Sequence, residues 1–330
     1  MSSVARSILG TLALAETFGM PLTAFEAWKW LLRDPDSIFQ VPNSHMSLRN
    51  VLVELTALER AGVLAQQDGY YTFPDRRELV EERLWRLAIA STKLVRAKRL
   101  ASWIARTPYI HGVFAYGSLA TGNTREESDL DVFIVTDPSR IFTARFLASL
   151  LTEMFGIRRT RRKVRDRICL NHYVTASSFA FPYRSALSAW LWARIFPLAA
   201  RDPSLALRFA AANAWAAEYF PNIRETGRFD DGQADFSMTS GQELAPVRPR
   251  FVPRGMMRTL GDLIERFLRT LQLARIRRNP LTHRPGGRVV ANDEMLIFHP
   301  ELPEAARTRR FHARLGMLGL ARLPGQGPGA

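Results

Sequence analysis

The chain has 330 residues and a single cysteine, Cys169. An internal disulfide is therefore excluded, and the usage fits a reducing compartment. Cys169 lies in the apolar run Ile168 to Val174, where a small thiol reads as core rather than nucleophile. Histidine is scarce too: six, at 45, 111, 172, 283, 299 and 312, without the spacing of a zinc site. No uncharged apolar run reaches the ~18 residues needed to span a bilayer. The nearest, Ser185 to Ala200, is interrupted by Arg194 and Pro197. No signal-like charged and apolar segment opens the chain, so a cytoplasmic protein is expected. Acidic residues are in deficit, 31 Asp and Glu against 46 Lys and Arg, for a net charge of +15. That balance favours anionic partners and equally suits an arginine-rich solvated surface. Hydrophobic content of 47% and charged content of 23% are those of a globular protein, and the length accommodates two or three domains.

The chemistry concentrates in one stretch, Tyr116-Gly117-Ser118-Leu119-Ala120-Thr121-Gly122, followed by Ser128-Asp129-Leu130-Asp131-Val132-Phe133-Ile134-Val135. Val113 to Tyr116 reads as a strand entering the Gly-Ser turn, and Leu130 to Val135 as a second strand. Asp129 and Asp131 occupy alternate positions, so a strand points both to one face. Adjacent carboxylates repel unless a cation lies between them. Oxygen ligands at this spacing suit a hard divalent ion, Mg2+ or Mn2+, which also takes substrate phosphates. Gly117 lets the backbone approach a phosphate and Ser118 offers it a hydroxyl.

The run resembles the signature of the nucleotidyltransferase superfamily, which includes polymerase beta, the aminoglycoside nucleotidyltransferases and small antitoxin-type members. That signature is Gly-Ser, a short loop, then Asp-x-Asp inside a hydrophobic strand. It is matched at Gly117, Ser118, Asp129 and Asp131, with Ala120, Gly122 and Ser128 also in place. The resemblance implies metal binding by Asp129 and Asp131 and nucleotide binding by Gly117, Ser118, Ser128 and the loop residue Arg125. It further implies transfer of a nucleoside monophosphate from NTP to a hydroxyl on a small molecule, a protein or an RNA end. Catalytic relatives carry a third carboxylate on the next strand. Here the position expected to align with it is Asn171, which can offer a carbonyl oxygen but cannot take a proton. Asp166, at the strand entrance, and His172, on the opposite face by alternation, are the substitutes in view.

Around this core the expected fold is α+β. Residues 1–75 give helix, helix, helix and a hairpin over Asp68-Gly69, a winged helix-turn-helix pattern that serves for DNA binding or for protein contact. Thr23 and Glu26 form a capping-box pattern, and Ser47 caps the third helix. Residues 76–108 are expected to form a helical connector with a solvated charged face, and 109–178 a small mixed-sheet core. The basic run 158–167 carries seven cations in ten positions, a solvated loop or a grip for nucleic acid. Residues 179–330 are expected to be helical, with a linker near 230–250 and a core-facing apolar stripe at Leu260, Leu263, Ile264, Phe267, Leu268 and Leu271. Two other functions fit the same sequence: a catalytically reduced, nucleotide-sensing core in a DNA-binding regulator, and an antitoxin-like partner protein.

Overall fold

The structure, a computed structural model, describes residues 1–33, 46–224, 256–301 and 303–320. The polar, proline-punctuated stretch 34–42, the linker expected near 230–250 and the Pro/Gly-rich tail from 323 lie outside the described residues.

The first unit follows its capping residues. Helix α1 spans Ser3–Glu16 and α2 Ala24–Lys29, the latter opened by the reciprocal Thr23–Glu26 capping box. Helix α3, Leu48–Arg60, starts on Ser47, whose side chain accepts from the Asn50 amide. Strands β2 (Ala65–Gln67) and β3 (Tyr70–Thr72) pair across Asp68 and Gly69. Both turn residues have positive φ, 51° and 82°, as the two-residue hairpin turn requires. Short strand β1, Leu22–Thr23, adds to β3 and completes a three-stranded sheet.

The second sheet is larger than the expected core. Its strands are β4 (Ile110–Ala115), β5 (Leu130–Thr136), β6 (Ile168–Thr175), β7 (Phe196–Ala200), β8 (Arg288–Ala291) and β9 (Met295–His299). They are ordered β7-β4-β5-β6-β9-β8, and only β5 and β6 are parallel. The region expected to be helical after 178 thus supplies three of the six strands. Pro197 sits in edge strand β7, a position where a residue without an N–H is tolerated.

Helices cover both faces. On one face Phe114, Phe133, Val135 and Val174 pack with the first unit and with α7 (Ala186–Trp192), α8 (Ser204–Ala212) and α9 (Ala216–Tyr219). On the other, Val113, Val132 and Ile134 pack with α4 (Glu78–Ala105), α6 (Ile141–Met154) and α10 (Met256–Arg278). Of the stripe expected to face the core, helix α10 buries only Leu268. Leu268, Leu273 and Ile276 are buried, whereas Leu260, Leu263, Ile264, Phe267 and Leu271 are exposed. The reason is Glu265, buried on the docking side, which accepts from the Phe142 and Thr143 amides at 2.9 and 2.8 Å. A carboxylate satisfying the unpaired first-turn donors of α6 fixes the rotation of α10. Helix α11, Glu304–Met317, closes back on α1. Among the described residues no helix is long and apolar enough to cross a membrane.

Candidate active site

The site forms where β4 ends, β5 begins and β6 runs beside β5. Helix α5, the single turn Gly117–Ala120, follows β4 directly. Gly117 adopts φ +60°, a conformation that favours glycine. A Cβ there would lie 2.9 Å from Asp131 Oδ2, so the turn closes tightly on the carboxylate. The Tyr116 amide donates to the Asp131 carbonyl at 3.2 Å, which holds turn and strand in register.

Asp129, Asp131 and Cys169 each offer a ligand atom within 4.8 Å of the others. The two expected aspartates are therefore brought together on one side of the sheet. Burial, and next the charge of Asp129, push the Asp131 carboxyl up to about 7. A second negative charge in this cleft is unfavourable without a cation, so the donor set fits a divalent ion.

The third strand, β6, brings a residue beside the aspartates that was not foreseen there. β5–β6 pairing sets Asp131 opposite Cys169 and Phe133 opposite His172, with a bulge between. One extra residue on β6 breaks the alternation that had put Asn171 in line with the aspartates. Cys169, buried as expected, also faces the pair. Asn171 turns to His299, with Nδ2 3.4 Å from Nδ1, and its Oδ1 is buried with no partner among the described residues. Burial, then the two aspartates, hold the Cys169 thiol far above its ordinary range, so it is a hydrogen-bond donor to Asp131 and not a thiolate.

Neither expected substitute base reaches the pair. Asp166 is engaged by Lys93 Nζ at 2.7 Å. His172 is buried in an aromatic setting of Tyr116, Phe133 and Trp192, and both its nitrogens lack partners among the described residues. Burial first, then His299 and Arg288, hold it neutral.

Ser118 anchors the turn through its carbonyl, which accepts from the Asn123 amide at 2.9 Å and the Thr121 hydroxyl at 3.1 Å. Ser128 Oγ accepts from the Arg125 amide at 3.1 Å, closing the loop before Asp129, while the Arg125 side chain is exposed.

Two sets of site-shaping residues were not foreseen. The charges of α4 were expected to be solvated, yet Arg83, Arg86 and Lys93 are buried. Arg83 donates to the Thr121 and Gly122 carbonyls and to Glu26, Arg86 to Asn123 Oδ1, and Lys93 to the Glu126 and Ser128 carbonyls. Their spacing was the available signal: they share one helical stripe with buried Ala90, Leu94 and Ala97. The second is Arg159, from the basic run. Its Nε lies 2.9 Å from Asp129 Oδ2 and its Nη1 3.6 Å from Cys169 Sγ. Pairing of Arg159 with Ile168 through a backbone N–H···O bond of 2.9 Å puts it there.

Residues 98–176 match the family model described as Polymerase beta, Nucleotidyltransferase. No curated protein and no solved structure gives a significant match to the chain. The matched stretch holds β4, the Gly117 turn, β5 and all of β6, and supports the resemblance to the nucleotidyltransferase superfamily.

Proposed function

We propose that this chain transfers a nucleoside monophosphate from an NTP to an acceptor hydroxyl. The observation that carries the reading is the convergence of Asp129 and Asp131 beneath the Gly117 turn, within a stretch that matches a nucleotidyltransferase domain. Asp129 and Asp131 would hold Mg2+ or Mn2+, which when bound neutralises triphosphate charge. The open backbone at Gly117 and the hydroxyl of Ser118 receive the β and γ phosphates, and the exposed Arg125 is within the same loop. Arg83 and Lys93 keep residues 121–128 in place, so the phosphate-binding turn is set before substrate arrives. The acceptor oxygen attacks the α-phosphorus, the bond to the bridging oxygen breaks, pyrophosphate leaves, and the hydroxyl proton passes to solvent.

Cys169 takes no proton from the acceptor, because it is held as a thiol. Among the described residues no further Asp, Glu or His joins the cluster. Rate enhancement then rests on positioning and charge neutralisation, without the ~10²–10⁴-fold of a general base. The testing experiment is calorimetric titration of ATP, GTP, CTP and UTP with magnesium into wild type and Asp129→Asn/Asp131→Asn. The reading expects magnesium-dependent binding of at least one NTP that the double variant loses. Absence of binding by all four sinks it.

Cys169 opposite Asp131, and Arg159 on Asp129, favour a second reading, a nucleotide-sensing core with reduced chemistry. The first unit, read as a winged helix, would then be its output. The outer face of α3 exposes Leu52, Val53 and Glu59 beside Arg49 and Arg60, a weak match to a phosphate backbone. NTP binding with no transfer to any acceptor selects this second reading.

A further inference from the structure

Beside the aspartates, past Arg159 and Cys169, opens a cavity of about 570 Å³. Its charged lining consists of Arg145, Arg158, Arg159 and Arg161, and among the described residues no carboxylate lines it. Asn171 also lines it, with a buried Oδ1 lacking a partner among the described residues. We propose that this cavity binds the acceptor, a small molecule carrying a phosphate group. The proposal rests on the nucleotidyl-transfer reading for the word acceptor; the anion site itself stands on the cavity.

Size excludes a duplex and fits a phosphorylated metabolite, since small-molecule pockets run to ~300–1,000 Å³. Arg159 pairs with Asp129 at 2.9 Å and Arg158 with Glu153 at 3.6 Å, which leaves Arg145 and Arg161 without a carboxylate among the described residues, and such arginine forks match a doubly charged, trigonal group bound in bidentate fashion. Arg145 is already placed for this. Its Nη1 is held by Gln272 Oε1 at 2.6 Å, and its guanidinium stacks 4.6 Å from the Phe298 ring centroid. Burial, with Arg158 and Arg275 adding to it against an opposing Tyr173, lowers its pKa, the sign of positive charge without a counter-ion. Arg159 joins the two compartments, because the same guanidinium touches Asp129 and Cys169 and lines the cavity. An acceptor held by phosphate at Arg145 and Arg161 therefore extends its hydroxyl end toward the aspartates. The NTP phosphates belong on the Gly117 side and depend on metal, which separates the two sites experimentally.

The test is calorimetric titration of ribose 5-phosphate, with ribose as control, in metal-free buffer without nucleotide. Four proteins are compared: wild type, Asp129→Asn/Asp131→Asn, Arg145→Gln and the surface variant Arg158→Gln/Arg161→Gln. The expected result is saturable binding of ribose 5-phosphate and none of ribose. Affinity falls at least tenfold in each arginine variant and stays equal or rises in the aspartate variant, where Arg159 loses its partner. Because Arg158 and Arg161 are at the surface, their variant reads the site even where Arg145→Gln lowers stability. Binding lost in the aspartate variant would place the ligand in the nucleotide site and overturn the proposal. Binding unchanged by either arginine variant, or no binding to wild type, also overturns it. So does arginine-dependent binding of a short single-stranded RNA under conditions where ribose 5-phosphate does not bind. Failure of NTP to bind with magnesium, by contrast, sinks the transfer reading and leaves the phosphate titration intact.

Discussion

The Cβ that glycine lacks at 117 would meet Asp131 Oδ2 at 2.9 Å, on a backbone at φ +60°. Alanine there must move either the turn or the carboxylate. Strain of this kind costs ~1–3 kcal/mol. We expect Gly117→Ala to fold with a lowered melting temperature and to weaken magnesium-dependent NTP binding at least tenfold, read by calorimetry. Unchanged affinity would mean that the turn does not position Asp131. A second residue-scale effect lies behind the site. Burial, then Arg288, pushes His299 down to about 4. Its unfolded counterpart titrates near ~6.5, so the unfolded chain binds more protons between these values and stability falls as pH drops through that window. The contribution is about 3 kcal/mol. Asp131 acts in the opposite sense between its ordinary value and about 7, so the informative comparison is with His299→Gln, where that contribution cancels. Urea midpoints measured from pH 7 to pH 4.5 should fall less steeply in the variant; parallel slopes would contradict the assignment. The aspartates and the Gly-Ser turn were legible in the sequence because a turn and a strand each have a local pattern. Cys169 was not, because a β-bulge leaves no mark in the residues that form it.

At the scale of elements, α4 is the support on which the 121–128 loop rests. Lys93 is 5% exposed in its side chain and meets Asp166 at 2.7 Å as well as two loop carbonyls. Removing one partner of such a buried pair costs ~3–5 kcal/mol, whereas removing both costs less. Lys93→Met should therefore destabilise strongly in urea unfolding, and Lys93→Met/Asp166→Asn should recover part of the loss. Equal stability of the single and double variants would refute the coupling. Helix boundaries, caps and the hairpin could be read from residues close in sequence. The rotation of α4 and α10 could not, since charged side chains inside a stripe look solvated until the loop or helix end that they satisfy is known. The same limit hid β7, β8 and β9: their partners, β4 and β6, are far away along the chain.

At the scale of the whole molecule, the first unit is built into the core and not merely attached. Trp30 packs on Trp190 and Phe220 at ring-centroid distances of 5.8 and 5.9 Å, and Arg194 lies over both tryptophans. Arg314 of α11 bridges Glu16 and Asp75 at 2.6 and 2.9 Å. Deleting residues 1–75 uncovers Trp190 and Phe220, both buried in the intact chain. The shortened protein should elute as aggregate in size-exclusion chromatography; a soluble monomer would show the unit to be separable. The first unit is then part of the packing around the core, whatever outward role it has. The central claim, that two aspartates under a glycine turn support nucleotidyl transfer, is tested most directly by following α-labelled NTP with magnesium. Wild type is compared with Asp129→Asn/Asp131→Asn, with phosphorylated acceptors supplied. The account predicts release of pyrophosphate with label on the acceptor, lost in the double variant. Transfer that persists in the double variant, or NTP bound with no transfer to any acceptor, would contradict it.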